Sequence, residues 1–81
     1  MPAADVRALA EFLVKALVER PEVVSVRTSE RDRMVVIEVR VAPDDVGKVI
    51  GRRGRIVGAI RTLVRAAAGE GGRRVVLEIV Q

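Results

Sequence analysis

The sequence predicts an α+β fold in the order α-β-β-α-α-β, with a three-stranded mixed sheet covered on one face by three helices. Three observations carry that prediction. Polar residues recur every four positions from Arg7 to Glu19, which is helical spacing, whereas residues 23–30, 34–41 and 75–80 alternate at period two, which is strand spacing. Gly51 and Gly54 then break a long helical pattern into a short part and a longer one. With 81 residues there is room for a single domain over residues 1–81 and one modest core, because so short a chain buries only about 60 to 65 per cent of its unfolded surface.

The first helix is expected from Asp5 to Glu19. Arg7, Glu11, Lys15 and Glu19 separate the apolar triplets Ala8-Leu9-Ala10, Phe12-Leu13-Val14 and Ala16-Leu17-Val18, and Glu11 precedes Lys15 in the favourable i,i+4 order. Pro21 ends the helix, since the residue before a proline is pushed out of the α region. Most of the circumference is apolar, although one sheet face needs only a stripe somewhat over about 100° wide. The surplus points to a second contact such as a partner subunit, or to alanines tolerated at the surface. Phe12, the only aromatic residue of the chain, is assigned to the core.

Val23 to Glu30 and Met34 to Val41 read as an antiparallel hairpin, with Val35, Ile37, Val39 and Val41 on one face and Glu38 and Arg40 on the other. The link between them, Glu30-Arg31-Asp32-Arg33, is wholly charged. After Pro43, either Asp44 or Asp45 can cap a short helix that runs to about Ile50. In the longer helix Ile56, Ile60, Leu63, Val64 and Ala67 form the apolar face, and Gly69 closes it. Gly71-Gly72 make the next turn, and Val75, Leu77 and Ile79 alternate with Val76, Glu78 and Val80 in a last strand. Two helices between the second and third strands allow those strands to run parallel.

Charge is distributed unevenly. Residues 1–42 hold seven Lys/Arg and seven Asp/Glu, whereas residues 43–81 hold eight and four, so the whole formal excess of +4 lies in the second half. From Val46 to Gly69 there are six cations (Lys48, Arg52, Arg53, Arg55, Arg61 and Arg65) and no acid. Such a field favours an anionic partner. For Arg61 and Arg65, a solvated helix face and phosphate contact are equally good readings; Arg73 and Arg74 read as turn and strand-edge solvation, and Gly58 as either close packing or function.

The inventory excludes several classes. There is no His, Cys, Tyr, Trp or Asn, and the only serines are Ser25 and Ser29, so nucleophile–base pairs and metal ligand sets cannot be assembled. No catalysis, cofactor, metal or small-molecule substrate is expected. Without cysteine there is no disulfide framework, no apolar run approaches the roughly 20 residues that cross a bilayer, and the start of the chain lacks a signal-peptide pattern, so a cytoplasmic protein without membrane contact is expected. A lone aromatic also argues against recognition modules that stack bases on aromatic platforms. A helix-hairpin-helix module would have no place for the alternating strands.

A helix leaves its first four N–H groups unpaired, and these attract phosphate. Gly51 and Gly54 supply a tight bend and room for a sugar-phosphate chain, and Arg52 and Arg53 between them, with Lys48 and Arg55 nearby, supply the counter-charge. The stretch from Val46 to Ile60, VGKVIGRRGRIVGAI, resembles the signature of KH domains, V-I-G-x-x-G-x-x-[IL]-x-x-[IL], in which a GxxG loop joins two helices. Gly47, Val49, Ile50, Gly51, Gly54, Val57 and Ile60 fall on the small, apolar and glycine positions; Ile56 leaves the apolar phase one residue early. The element order is similar to the type II KH fold over nearly the whole chain, and the length is similar to that of small bacterial single-KH RNA-binding proteins of the KhpA kind.

The resemblance implies a groove for about four single-stranded RNA nucleotides. Its expected binding set is Gly47, Lys48, Ile50, Gly51, Arg52, Arg53, Gly54 and Arg55, with the opposite wall formed by Val75 to Val80 and the Glu30–Arg33 loop. It also implies a role as a global RNA chaperone or post-transcriptional regulator, and a homodimer or a heterodimer with a larger KH-containing protein. The alternative is an interaction subunit whose main role is that pairing.

Overall fold

The structure is a computed structural model that describes residues 3–69 and 74–80. Its elements are α1 (Ala3–Leu17), β1 (Ser25–Arg31), β2 (Met34–Arg40), α2 (Val46–Ile50), α3 (Arg55–Ala68) and β3 (Arg74–Val80), with single 3₁₀ turns at Pro21–Val23, Pro43–Asp45 and Arg52–Gly54. The order is the one expected. The Gly71-Gly72 turn and Arg73 lie outside the described residues.

The sheet order is β1-β2-β3. β1 and β2 pair antiparallel from Ser25 opposite Arg40 to Arg31 opposite Met34, and β2 pairs parallel with β3 from Met34 beside Arg74 to Arg40 beside Val80. Glu30 and Arg31 are thus strand residues, and the charged link tightens to Asp32 and Arg33, where Asp32 takes a φ of 52°. Short polar residues tolerate that left-handed conformation better than most.

Period two decides which face is buried. Val26, Val35, Ile37, Val39, Val75 and Leu77 turn to the helices, where they meet Val6, Ala10 and Val14 of α1, Val49 of α2, and Val57, Ile60 and Val64 of α3. The other face, with Ser25, Arg27, Ser29, Glu38, Arg40 and Glu78, is open to solvent. One apolar sheet face and three helix stripes make the core.

Two helical expectations are corrected. Phe12 is 69 % exposed and lies outside the core, and Leu63 is 52 % exposed. The reason is the angular drift of a 3.6-residue turn. In each apolar triplet of α1 the first residue (Ala8, Phe12, Ala16) faces solvent, and the third (Ala10, Val14) is buried, with Val18 half-buried beyond the helix end. On α3 the buried line is Val57, Ile60 and Val64, so Leu63 stands to one side of it.

Ile37 is fully buried at the centre of the sheet, so Ile37→Ala should lower unfolding stability by about 3 kcal/mol in urea titrations. Phe12→Ala should change it by no more than about 0.5 kcal/mol, because the ring is already in water.

Candidate nucleic-acid interface

The glycine loop is built by three left-handed residues. Gly51 (φ 75°), Arg53 (φ 57°) and Gly54 (φ 71°) turn the chain from α2 into α3, and Gly54 N–H donates to Gly51 C=O at 3.1 Å to close the bend. At Gly51 a Cβ would stand 2.6–2.9 Å from the Ile56 side chain, so glycine is required by space as well as by conformation. Ile56, one residue early for the apolar phase, is half-buried and packs against that bare backbone. At Gly54 the nearest atom to a Cβ would be 3.9 Å away, so conformation alone calls for glycine.

Arg53 shares the left-handed region without being glycine, which costs on the order of 1 kcal/mol. Strain of this kind is held only where the surroundings over-determine it. Arg52, Arg53 and Arg55 are exposed, and among the described residues none of them enters a salt bridge. Ile50, at the end of α2, is 36 % exposed beside them, and Gly47 accepts the Gly51 N–H at 2.9 Å.

Lys48 is placed differently from the other cations. Its ammonium lies 3.0 Å from Glu19 Oε1 and 3.5 Å from Asp45 Oδ1. The Glu19 carboxylate bond, opposed by desolvation and helped by Asp45, raises its pKa. Lys48 therefore ties α2 to the end of α1, a role the local sequence does not announce.

Asp45 is the buried acid of that tie, 1 % exposed. Although it precedes α2, its backbone is already helical (φ −96°, ψ −8°) and it makes no cap bond to that helix. Its carboxylate reaches back along the chain instead, accepting Glu19 N–H at 3.2 Å and Arg20 N–H at 3.1 Å. Asp45 thus satisfies donors where the chain leaves α1. Burial pushes the carboxyl pKa up, but the two backbone N–H groups and Lys48 outweigh it and hold it below the usual 3.8.

Arg61 and Arg65 also find partners. Arg61 Nε and Nη2 both donate to Leu77 C=O, at 3.1 and 3.0 Å, and Arg65 Nε approaches Val75 C=O at 3.5 Å. Arg74 N–H donates to Arg33 C=O at 2.7 Å, so the even residues of β3 point their backbone groups toward β2, whereas the carbonyls of Val75 and Leu77 point away from it. The arginines therefore bridge α3 to the free edge of β3. The glycine loop stands at one end of this seam, and the Asp32-Arg33 turn at the other, since α3 runs antiparallel to β3. From Arg55 to Arg65 is about 15 Å of helix. The β1–β2 turn lies at the end of the seam away from the glycine loop.

Comparison with known proteins agrees with this geometry. A family model described as KhpA/KhpB, KH domain, matches residues 7–79. The chain belongs to the KhpA/KhpB family of KH-domain proteins. It is 49 % identical over 72 residues to the RNA-binding protein KhpA of Caldanaerobacter subterraneus subsp. tengcongensis, covering 89 % of this chain and 96 % of that one. It is 50 % identical over 72 residues to RNA-binding protein KhpA of Borreliella burgdorferi, covering 89 % and 88 %. Among solved structures, Aquifex aeolicus Era superposes with a TM-score of 0.67 at 24 % identity over 98 % of this chain and 31 % of that one. A second Era structure, in complex with a segment of 16S ribosomal RNA, gives 0.64 at 18 % identity over 93 % and 30 %. These likenesses establish the KH fold.

No group of three or more His, Cys, Asp or Glu is placed to hold a metal ion among the described residues, and none of the described helices is long and apolar enough to cross a membrane.

Because the Asp45 carboxyl has a lowered pKa in the folded chain, its contribution is fully present above the unfolded value near 3.8 and is lost as pH falls through the folded value. Asp45→Asn should melt at a lower temperature than the wild type at neutral pH. The gap should narrow as thermal melts are repeated from pH 5 down to pH 2; a constant gap would show that the charge is not involved.

Proposed function

We propose that this chain is a non-catalytic single-stranded RNA-binding protein that clamps the sugar-phosphate backbone with Gly51-Arg52-Arg53-Gly54. The observation that carries the reading is the loop itself. Two exposed arginines that enter no salt bridge among the described residues are held on a strained left-handed bend at the start of a 14-residue helix whose first turn holds no acid. Arg55 N–H is spent on Arg52 C=O, and a phosphate would meet the remaining first-turn N–H groups of α3 together with Arg52, Arg53 and Arg55. Gly51 and Gly54 keep side chains out of the path of the sugar, and Ile50 offers an apolar surface to a base. Gly47 and Lys48 act from behind, one closing α2 onto the loop and the other fixing α2 to α1. The relatives' designation as RNA-binding proteins supports the ligand class.

The clamp has no base-specific group in it, so affinity comes mainly from phosphates and is modest. Such a protein suits the work of a global RNA chaperone or a post-transcriptional regulator in the cytoplasm. Replacing Arg52 and Arg53 together by Asp should abolish binding of a short single-stranded RNA in fluorescence anisotropy while leaving the circular dichroism spectrum and melting temperature unchanged. With about three phosphates engaged, log K for the wild type should fall with log salt at a slope of about −2. A double variant that binds as before would sink the clamp.

A second reading, pairing with another KH subunit, is favoured by one observation. The outward line Ala8, Phe12 and Ala16 with the flanking Leu17 leaves an aromatic ring in water on α1. Such a face suits self-association or a heterodimer with a larger KH-containing protein, and two weak grooves would gain avidity from it. Sedimentation equilibrium should then show a dimer in the micromolar range that Phe12→Asp converts to monomer; a wild type that stays monomeric throughout would rule out self-pairing.

A further inference from the structure

We infer that a hollow on the open face of the sheet, between Arg27, Glu38 and Arg40, takes a second stretch of the RNA held at the glycine loop, with the two arginines on a phosphate and the Glu38 carboxylate on a ribose hydroxyl. The inference rests on the RNA reading above and adds to the clamp a contact on the other side of the sheet.

The helices cover one face of the sheet only. At the end of the bare face, where β1 begins and β2 and β3 finish, lies a hollow of about 410 Å³ lined by Ser25, Arg27, Glu38, Arg40 and Val80. Strand register explains why these five converge. Ser25, Arg40 and Val80 stand in one row across the three strands, and Arg27 and Glu38 are neighbours in the next row. Period two puts all of them on the face away from the helices.

The charges in the hollow are not spent on one another. Arg27 lies directly opposite Glu38 across an antiparallel pair, a placement in which opposite charges usually meet, yet neither enters a salt bridge among the described residues. Both therefore remain open to a ligand. That ligand has to bring an anion for the guanidiniums and a donor for the carboxylate, because an ionised carboxylate only accepts. A plain polyanion satisfies the first demand and is repelled by Glu38. A ribonucleotide meets both within one unit, through its phosphate and its 2′-hydroxyl, and the Ser25 hydroxyl can bond to either. Val80, half-buried, gives the sugar an apolar wall.

The hollow is also within reach of the clamp. Arg61 meets Leu77 C=O and Arg65 meets Val75 C=O, so going back along α3 corresponds to going forward along β3. Arg55 lies about 9 Å of helix before Arg61, and Val80 lies about 10 Å of strand beyond Leu77. The glycine loop and the hollow thus share one end of the molecule, on opposite sides of the sheet. An RNA chain leaving Arg52 and Arg53 arrives at Arg40 and Arg27 by passing round that end, and the second contact is then intramolecular, so that a weak site adds affinity to a long RNA and none to a short one.

The test compares eight- and twenty-four-nucleotide oligouridine, each end-labelled, by fluorescence anisotropy against the full chain. The gain in affinity from the shorter to the longer oligomer should be at least about tenfold larger for the wild type than for Arg27→Gln/Arg40→Gln, which keeps only the statistical gain of a longer strand. That variant should bind the shorter oligomer as the wild type does, and its salt slope with the longer one should be shallower by about 1. Glu38→Ala separates a ribose contact from a mere basic patch, and it keeps the inference open to refutation if the double variant fails to fold. Loss of the hydroxyl bond should weaken binding of the longer oligomer by about tenfold, whereas tighter or unchanged binding overturns the inference. Uridine 5′-monophosphate at the same nucleotide concentration should leave the length gain intact; abolition of the gain would assign the hollow to a free nucleotide and overturn the strand contact. Equal length gains in the wild type and a folded double variant overturn the inference and leave the clamp standing. Binding of neither oligomer by the wild type overturns the RNA reading and this inference with it.

Discussion

A three-stranded sheet with one apolar face has to be covered, and in this chain the covering dictates the rest. The valines and isoleucine of β2 are buried on one side only, so every helix must lie on that side. Burying this much aliphatic surface, at about 25 cal/mol per Å², is the dominant favourable term available to a chain without cysteine. β3 can then join only the free edge of β2, in parallel, with α2 and α3 carrying the chain back along the covered face. That crossover contains the glycine loop. The loop's place at one end of the seam between α3 and β3 follows from how the sheet is closed.

The short helix before the loop has only five residues and could not hold an orientation alone. Its anchor is electrostatic, with the buried Asp45 carboxylate at its centre. Asp45 accepts two backbone N–H groups beyond the end of α1, and Lys48 bridges Asp45 and Glu19, so the start of α2 is tied to a segment 25 residues earlier in the chain. A buried carboxylate is expensive without partners and acceptable with three donors around it. The left-handed bend at Gly51, Arg53 and Gly54 is thereby built on a fixed base.

α3 carries three different duties on three flanks. Val57, Ile60 and Val64 face the core; Arg61 and Arg65 face the edge of β3; Leu63 and Ala59 face outward. An edge strand with free carbonyls invites another strand to pair with it. The two arginines occupy those carbonyls, which protects the edge.

How much of this was legible in the sequence depends on the range of the interaction. Period-two alternation in Met34–Val41 and helical spacing around Arg7–Glu19 are repeated many times within one element, so the element order and the parallel closing strand could be read from them. The bend was legible too, because Gly51 and Gly54 answer a local backbone demand. Phe12 misled, since four-residue spacing shows that a helix has an apolar side but not which of several apolar residues meets the sheet; the 3.6-residue turn carried the ring into water. Asp45 at the foot of a helix resembles a cap, and only the approach of the α1 terminus gave its carboxylate better donors. Lys48, counted with the clamp from its neighbours in sequence, went to Glu19 for the same reason. Arg61 shows the boundary most plainly: the sequence by itself established a cation on a helix in an acid-free span, whereas its fixed orientation needed a carbonyl of β3, 16 residues away, brought beside it by packing. Local backbone preference and charge were determined by the sequence alone, and the tertiary structure decided which donor meets which acceptor, because that choice depends on contacts no short stretch contains.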